Sequence, residues 1–236
     1  MNLLQIPTTA YDTIQQMGQQ VTTTVETPET AINAFDLALK GGWLMIVLFI
    51  MLLLSIYVLI ERILVIRSAG KEDDSFMNRI KDYIHEGKIE SALALCRKTD
   101  TPAARMVEKG ITRLGRPMSD ITEAIENVGN IEIAKLEKGL PILATTAAGA
   151  PMIGFLGTVT GMVKAFMSMA SAGVNVNVNI LSTGIYEALI TTVGGLIVGI
   201  IALFAYNYLT TQIKGIVNRM EMRIMEFMDI LNEPAI

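Results

Sequence analysis

Residues 139–213 form a run of seventy-five in which Lys164 and Glu187 are the only charged side chains. A water-soluble domain carries about 25% charged residues. A stretch so poor in charge is stable only where most of it is withdrawn from water. Two parts of it, 139–163 and 188–213, carry no charge at all. As helices rising ~1.5 Å per residue, each exceeds the ~30 Å hydrocarbon layer of a bilayer. A third uncharged stretch, residues 41–60, is bulky and apolar on every face. It follows an acidic segment and begins too late for a cleaved signal peptide. Ser55 within it is expected to bond back to its own helix. The fold class predicted is an all-α polytopic membrane protein with three transmembrane helices, two of which extend into a helical cytoplasmic domain.

The remaining charge fixes the expected sidedness. Residues 61–138 hold fourteen basic and fourteen acidic side chains. Arg62, Arg67 and Lys71 follow the first span, Lys135 and Lys138 precede the second, and Lys214, Arg219 and Arg223 follow the third. Basic residues stay on the cytoplasmic side. The expectation is a cytoplasmic 61–138 and C-terminus, with the N-terminus on the outer side. The segments are then an extracytoplasmic 1–40 with an interfacial helix at 28–39, a first span at 41–60 and a cytoplasmic helical domain at 61–138. A second span at 139–166, an outer connection at 167–183, a third span at 184–213 and a C-terminal cytoplasmic helix at 214–236 complete the chain. The alternating run from Val174 to Asn179 belongs to the outer connection. Within 61–138, Gly87, the pair Thr101-Pro102, and Gly115 with Pro117 punctuate successive helices. From Ser119 to about Phe166 no strong stop appears, since Pro141 and Pro151 can kink a helix without ending it.

Several functions are excluded by composition. The net charge of −4 argues against a nucleic-acid partner. One cysteine allows no internal disulfide, and Cys96 reads as a packed thiol. His85 is the one histidine and reads as solvated; with one cysteine beside it in the inventory, no Cys/His metal cluster can form. Gly154, Gly157 and Gly161 lack the Lys-Ser/Thr pair of a phosphate loop. The chain reads as neither an enzyme nor a cofactor protein.

Chemistry is left to the two isolated charges and the spans' hydroxyls. Ala147, Pro151, Gly154, Thr158, Gly161 and Ala165 are spaced four, three, four, three and four, a stripe of small residues with one hydroxyl. Gly157 and Gly161 form a small-xxx-small pair beside it, as do Gly195 and Gly199 in the third span. Ala188, Thr191, Gly195, Gly199 and Ala202 make the matching stripe. Such stripes serve either close helix packing or a narrow conduit, and an intramembrane carboxylate such as Glu187 favours the conduit. A hydroxyl can orient water but cannot hold a proton's charge. The titrating group is therefore Glu187 or belongs to another polypeptide. Two small-faced helices leave an open side, which copies around a cyclic axis would close.

Three motifs carry a resemblance: residues 136–140 (Leu136, Glu137, Lys138, Gly139, Leu140), residues 151–159 from Pro151 to Val159, and residues 187–192 from Glu187 to Thr192. With the three-span layout, the chain resembles the MotA/TolQ/ExbB proton channel family, nearest its ExbB branch. The resemblance implies a ring, a pentamer in this branch, whose second and third spans line a pore. It also implies a dimer of a single-span ExbD-like or TolR-like partner in that pore, which supplies a membrane Asp. Protons would be the coupling ion, and the work would reach a TonB-like or TolA-like protein from the inner membrane. The family's pore threonines fall on Thr158 and Thr192, its glutamate on Glu187, and its packing motif on Pro151, Gly154 and Gly157. Phe155 stands where Leu is usual, and Lys164 where Asn or His is. If Thr158 and Thr192 share a level, as the resemblance implies, Lys164 and Glu187 come to nearly one height; there they pair in the same or an adjacent subunit, or Lys164 instead reaches the outer interface and never meets the carboxylate. The function implied is a proton-channel or stator subunit for outer-membrane transport. The alternatives are a TolQ-like motor subunit for envelope maintenance and a non-conducting scaffold.

Overall fold

The computed structural model describes residues 42–71, 75–171 and 178–232, with side chains from 181 onward in the last stretch. The expected 28–39 helix and positions 174–177 of the alternating run lie outside the described residues. Among the described residues all regular structure is helical: α1 (Trp43–Ala69), α2 (Phe76–His85), α3 (Ile89–Thr99), α4 (Pro102–Ile111), α5 (Met118–Glu137), α6 (Leu140–Ser171) and α7 (Val178–Asn232). They belong to one compact unit, Ala38–Ile236. Among the described residues three stretches are long and apolar enough to cross a bilayer: Trp43–Ala69, Leu140–Ser171 and Leu181–Asn232. The chain is a multi-pass membrane protein, with three spans among those residues.

One face of α1 is buried, through Leu44, Leu48, Ser55, Val58, Arg62 and Ile66. Its other faces expose Trp43, Phe49, Leu53, Tyr57 and Ile60, as a lipid-facing helix does. The buried face lies against α7 and α6. Ser55 differs from expectation: its hydroxyl is buried and has no hydrogen-bond partner.

The small helices form a bundle outside the apolar spans. The Thr101 side chain accepts the amide hydrogen of Ala104 at 3.3 Å and caps α4, with Pro102 at its first turn. Gly87 and Gly115 adopt φ of +69° and +87° and separate neighbouring helices where the sequence places breaks. Phe76, Ile80, Cys96, Val107, Ile111 and Ile125 bury their side chains with Phe227 of α7 in one core. Gly110 is where α4 meets this core, since a Cβ there would fall 2.5 Å from Phe227 Cε1 and 2.9 Å from Ile125 Cδ1. Burial pushes the Cys96 thiol up to about 12, as packing of an inert thiol requires.

The chain departs from the expected unbroken helix over 119–166. α5 ends at Glu137 and α6 begins at Leu140, with Gly139 at φ +90°. Two local causes act together. Pro141 has no amide hydrogen with which to continue the ladder, and Gly139 can take the left-handed turn at little cost. A third cause is tertiary. Arg62 of α1 donates to the carbonyl oxygen of Lys135 at 2.9 Å while paired with Glu61. A guanidinium there satisfies an orphan carbonyl and faces the negative end of α5. Gly139 packs on the same α1 face, its Cβ position 3.1 Å from Val58 Cγ1.

By contrast α7 is continuous over 55 residues, about 80 Å at the α-helical rise. It serves the spans with its first half and the bundle with its second. α6 runs on to Ser171 and α7 starts at Val178, so Val178 and Asn179 are helical, not part of an extended connection.

Candidate functional site

The antiparallel hairpin of α6 and α7 holds every site residue that the sequence singles out. Its seam is built from absent side chains. A Cβ on Gly195 would meet the carbonyl oxygen of Ala150 at 2.5 Å and Gly154 Cα at 2.9 Å. One on Gly154 would meet the carbonyl oxygen of Thr191 at 3.0 Å, and one on Gly161 would meet Ala188 Cβ at 2.8 Å. Gly199 lies under the Pro151 ring, with Cγ 2.7 Å from its Cβ position. Pro151 leaves the Ala147 carbonyl without its intrahelical amide, and that oxygen lies 3.2 Å from the same Cβ position on Gly199. The backbones therefore approach as closely as small residues permit. The two small stripes face each other inside one chain.

The threonines differ in role. Thr192 Oγ1 donates across the seam to the carbonyl oxygen of Gly154 at 3.0 Å. Thr158 Oγ1 turns back to its own helix, donating to the carbonyl oxygen of Phe155 at 2.6 Å. Each hydroxyl still offers lone pairs to an incoming donor. Gly154 faces Gly195, Gly161 faces Ala188 and Gly184 faces Ala165. In that register Thr191 is level with Thr158 and Thr192 with Gly157, so Thr158 and Thr192 differ by one residue, ~1.5 Å, in height. Thr191 is fully buried, and its Cγ2 comes 2.5 Å from the Cβ position of Gly157. It is a seam residue that the resemblance does not count among the pore threonines. Its place in the small stripe at four residues from Gly195 was the available signal.

Outward from the threonines, α6 exposes Met152, Phe155, Val159, Met162, Phe166 and Met167, and α7 exposes Leu189, Val193, Leu196 and Ile200. Phe155 is thus on an open apolar face, outside the seam. Lys164 is exposed and Glu187 half-buried. Both line one narrow cavity with Gly42, Trp43, Thr160 and Thr191. Within one chain the two charges share this cavity, but none of the ion pairs among the described residues joins them. Glu187 also borders a cavity of about 590 Å³ with Ser182, Thr183 and Tyr186. Among the described residues no group of three His, Cys, Asp or Glu is placed to hold a metal.

A second polar assembly lies in the bundle. Glu132, buried on α5, accepts from Arg105 Nη2 of α4 at 2.6 Å and from Lys135 Nζ at 2.7 Å. Arg105 also reaches Asp100 Oδ1 at 2.6 Å. Burial opposes ionisation of Glu132, but the two cationic donors outweigh it and hold its carboxyl below the ordinary range. This is a structural ion network, far in sequence from the hairpin's threonines.

Comparison with known proteins agrees with this layout. The MotA/TolQ/ExbB proton channel family matches residues 98–222. The Tol-Pal system protein TolQ of Haemophilus influenzae is 32% identical over 220 residues, covering 86% of this chain and 96% of that protein. An ExbB homolog of Methanothermobacter thermautotrophicus is 31% identical over 143 residues, which are 61% of this chain and 50% of that protein. The biopolymer transport protein ExbB of Xanthomonas campestris is 36% identical over 88 residues, 37% of this chain and 34% of its own length. The chain thus spans half the length of the ExbB homolog and nearly all of the TolQ. These relatives do not single out ExbB over TolQ, so the nearness to ExbB expected from the motifs is not upheld at that resolution. Members of the family are channel or stator subunits rather than enzymes, and the chain, with its three spans and its α6–α7 seam, belongs to the MotA/TolQ/ExbB proton channel family.

Proposed function

We propose that the chain is a TolQ-type subunit of a proton-driven motor in the bacterial inner membrane, working in envelope maintenance. The observation that carries this reading is the alignment with a Tol-Pal system TolQ over 96% of that protein's length. In this reading copies form a ring, five by family analogy, around a single-span TolR-like dimer, and a TolA-like protein receives the work. The N-terminus is periplasmic and the 61–138 bundle is cytoplasmic, in keeping with the basic residues that flank the spans.

The hairpin supports such a role chemically. Its seam leaves no room for a conduit between α6 and α7, so a proton path runs along an outer face of the pair. Thr158 and Thr192 keep lone pairs beside such a path, and neither can carry the charge. The partner's carboxylate supplies the titrating group, and the threonines orient it or its water. Lys164 and Glu187 flank the path at one end of the spans, where an adjacent copy can bring them together.

An ExbB-type role is the second reading, favoured by the 36% identity to an ExbB over 88 residues. There the partners are an ExbD-like dimer and a TonB-like protein, and the output is outer-membrane transport. Complementation separates the two. Expression in a strain lacking TolQ should restore resistance to detergents, while a strain lacking ExbB should remain unable to perform TonB-dependent uptake. The opposite pattern would replace the first reading by the second. Failure in both strains, with no proton conductance in vesicles holding either single-span partner, would leave the non-conducting scaffold.

A further inference from the structure

The amino end of α1 has no cap of its own. Gly42 precedes it without a side chain that could cap it, and its first turn has no acidic residue. The first amides of any helix lack partners within it and together carry a partial positive charge. α7 brings a carboxylate to this end. Glu187 Oε1 lies so close to Gly42 that a Cβ there would overlap it. Gly42 sits at φ +69° and ψ −168°, a region essentially restricted to glycine. Its backbone geometry and its missing side chain together admit the carboxylate. Trp43, 67% exposed at the start of an apolar span, marks the level of a membrane–water boundary, where tryptophan rings prefer to lie. Lys164 borders the same cavity, so positive potential reaches the carboxylate from two sides. Charges at this depth are less screened than in bulk water.

We infer that Glu187 is the counter-charge of the α1 amino end, a positioning residue that ties the first span to the third through Gly42. This gives Glu187 a fixed task, distinct from carrying protons, and holds for either partner set above. It explains why a glycine stands at the head of α1, where a Ser, Thr, Asp or Asn would be the ordinary cap. It also explains how a span with no acidic first turn tolerates its own dipole.

Thermal unfolding of the full chain in detergent tests this without any partner. Glu187→Gln keeps the side chain's shape and removes its charge, and should lower Tm by roughly 2–4 °C. Trp43→Glu puts a carboxylate on the first residue of α1. In the Glu187→Gln background it should recover at least half of the lost Tm, while Trp43→Gln should recover none. If Glu187→Gln alone yields no folded protein, the double variant with Trp43→Glu must restore a folded species. An unchanged Tm in Glu187→Gln, equal effects of Trp43→Glu and Trp43→Gln, or failure of that restoration would each overturn the inference. Because the readout needs no motor activity, such a failure would leave the TolQ-type reading standing.

Discussion

Two glycines of α7 show how much a single hydrogen atom can decide. A Cβ at Gly195 would press on the Ala150 carbonyl oxygen at 2.5 Å and on Gly154 Cα, both backbone atoms that cannot rotate away. A Cβ at Gly215 would meet nothing within 4 Å. Gly195→Ala should therefore destabilise the hairpin by about 1–3 kcal/mol, as over-packing does. Gly215→Ala should stabilise the helix by about 0.5–1 kcal/mol through backbone entropy. Melting of the purified variants checks both signs in one experiment. Glu132 gives a residue-scale prediction of another kind. Its side chain is 4% exposed and held by Arg105 and Lys135. Glu132→Gln should cost roughly 2–3 kcal/mol at neutral pH, because it leaves a cation short of its partner. The folded carboxyl lies below its ordinary 4.5. Its contribution is thus complete above that value and lost as pH falls through the lower folded value. Acid denaturation of the wild type should show this loss, and that of Glu132→Gln should lack it. Lys135, 63% exposed, should matter far less, about 0.2–1 kcal/mol.

At the scale of elements, the joint between α5 and α6 is set by α1. Arg62 is 5% exposed in a helix otherwise built for lipid. Its guanidinium reaches both the Lys135 carbonyl and Glu61, which a single ammonium cannot do with the same planar geometry. Arg62→Lys should keep the charge and still loosen the joint. Arg62→Met should leave the Lys135 carbonyl without its guanidinium donor and cost about 2–4 kcal/mol. Hydrogen exchange reads this locally. Amides in the last turn of α5 and around Gly139 should lose protection in Arg62→Met, while those of α4 should not. Loss spread equally over the bundle would show that Arg62 acts on the whole core and not on the joint. The distinction bears on motion, because α6 belongs to the spans and α5 to the bundle. α7 crosses the same level without interruption, so relative movement of spans and bundle has one stiff member and one jointed member.

For the whole molecule, the seam inside the chain bears on the ring proposed above. The small residues are spent between α6 and α7, and the faces left open are bulky and apolar. In that proposed ring, contacts between copies would fall to side chains such as Phe155 and Leu196, with the α6–α7 pair acting as one stave. Native mass spectrometry in detergent should find a cyclic oligomer, and a dominant monomer would refute the ring. Thr158→Val and Thr192→Val preserve volume and remove the hydroxyl. Assembly should survive both, since one hydrogen bond in a membrane is worth about 1 kcal/mol. Proton-coupled activity in cells should fall in both. Thr192→Val should also lower Tm slightly, because that hydroxyl, unlike Thr158's, donates across the seam to α6. Unchanged activity in both variants would reduce the hydroxyls to packing.

The sequence by itself determined the spans, the helix starts and the membrane class. These follow from composition and spacing over short windows: seventy-five residues with two charges, a Thr-Pro start at 101–102, and glycines at 87 and 115. The tertiary structure alone decided what depends on groups far apart in the chain. At Gly139 the local signals, Gly139 and Pro141, allow a kink as well as a break, and the Arg62 donor that holds the end of α5 is 73 residues from Lys135. The stripes of small residues were legible, but their partner was not, since a small face suits a seam and a pore equally. Ser55 was given a bond to its own helix, yet burial fixed its hydroxyl without one. The height of Lys164 and Glu187 leaves both a pair and an outward-reaching Lys164 open. The fold placed both at one cavity and set the Glu187 carboxylate against Gly42. Height along a helix is a linear function of residue number, whereas the direction a side chain takes depends on the third helix packed beside it.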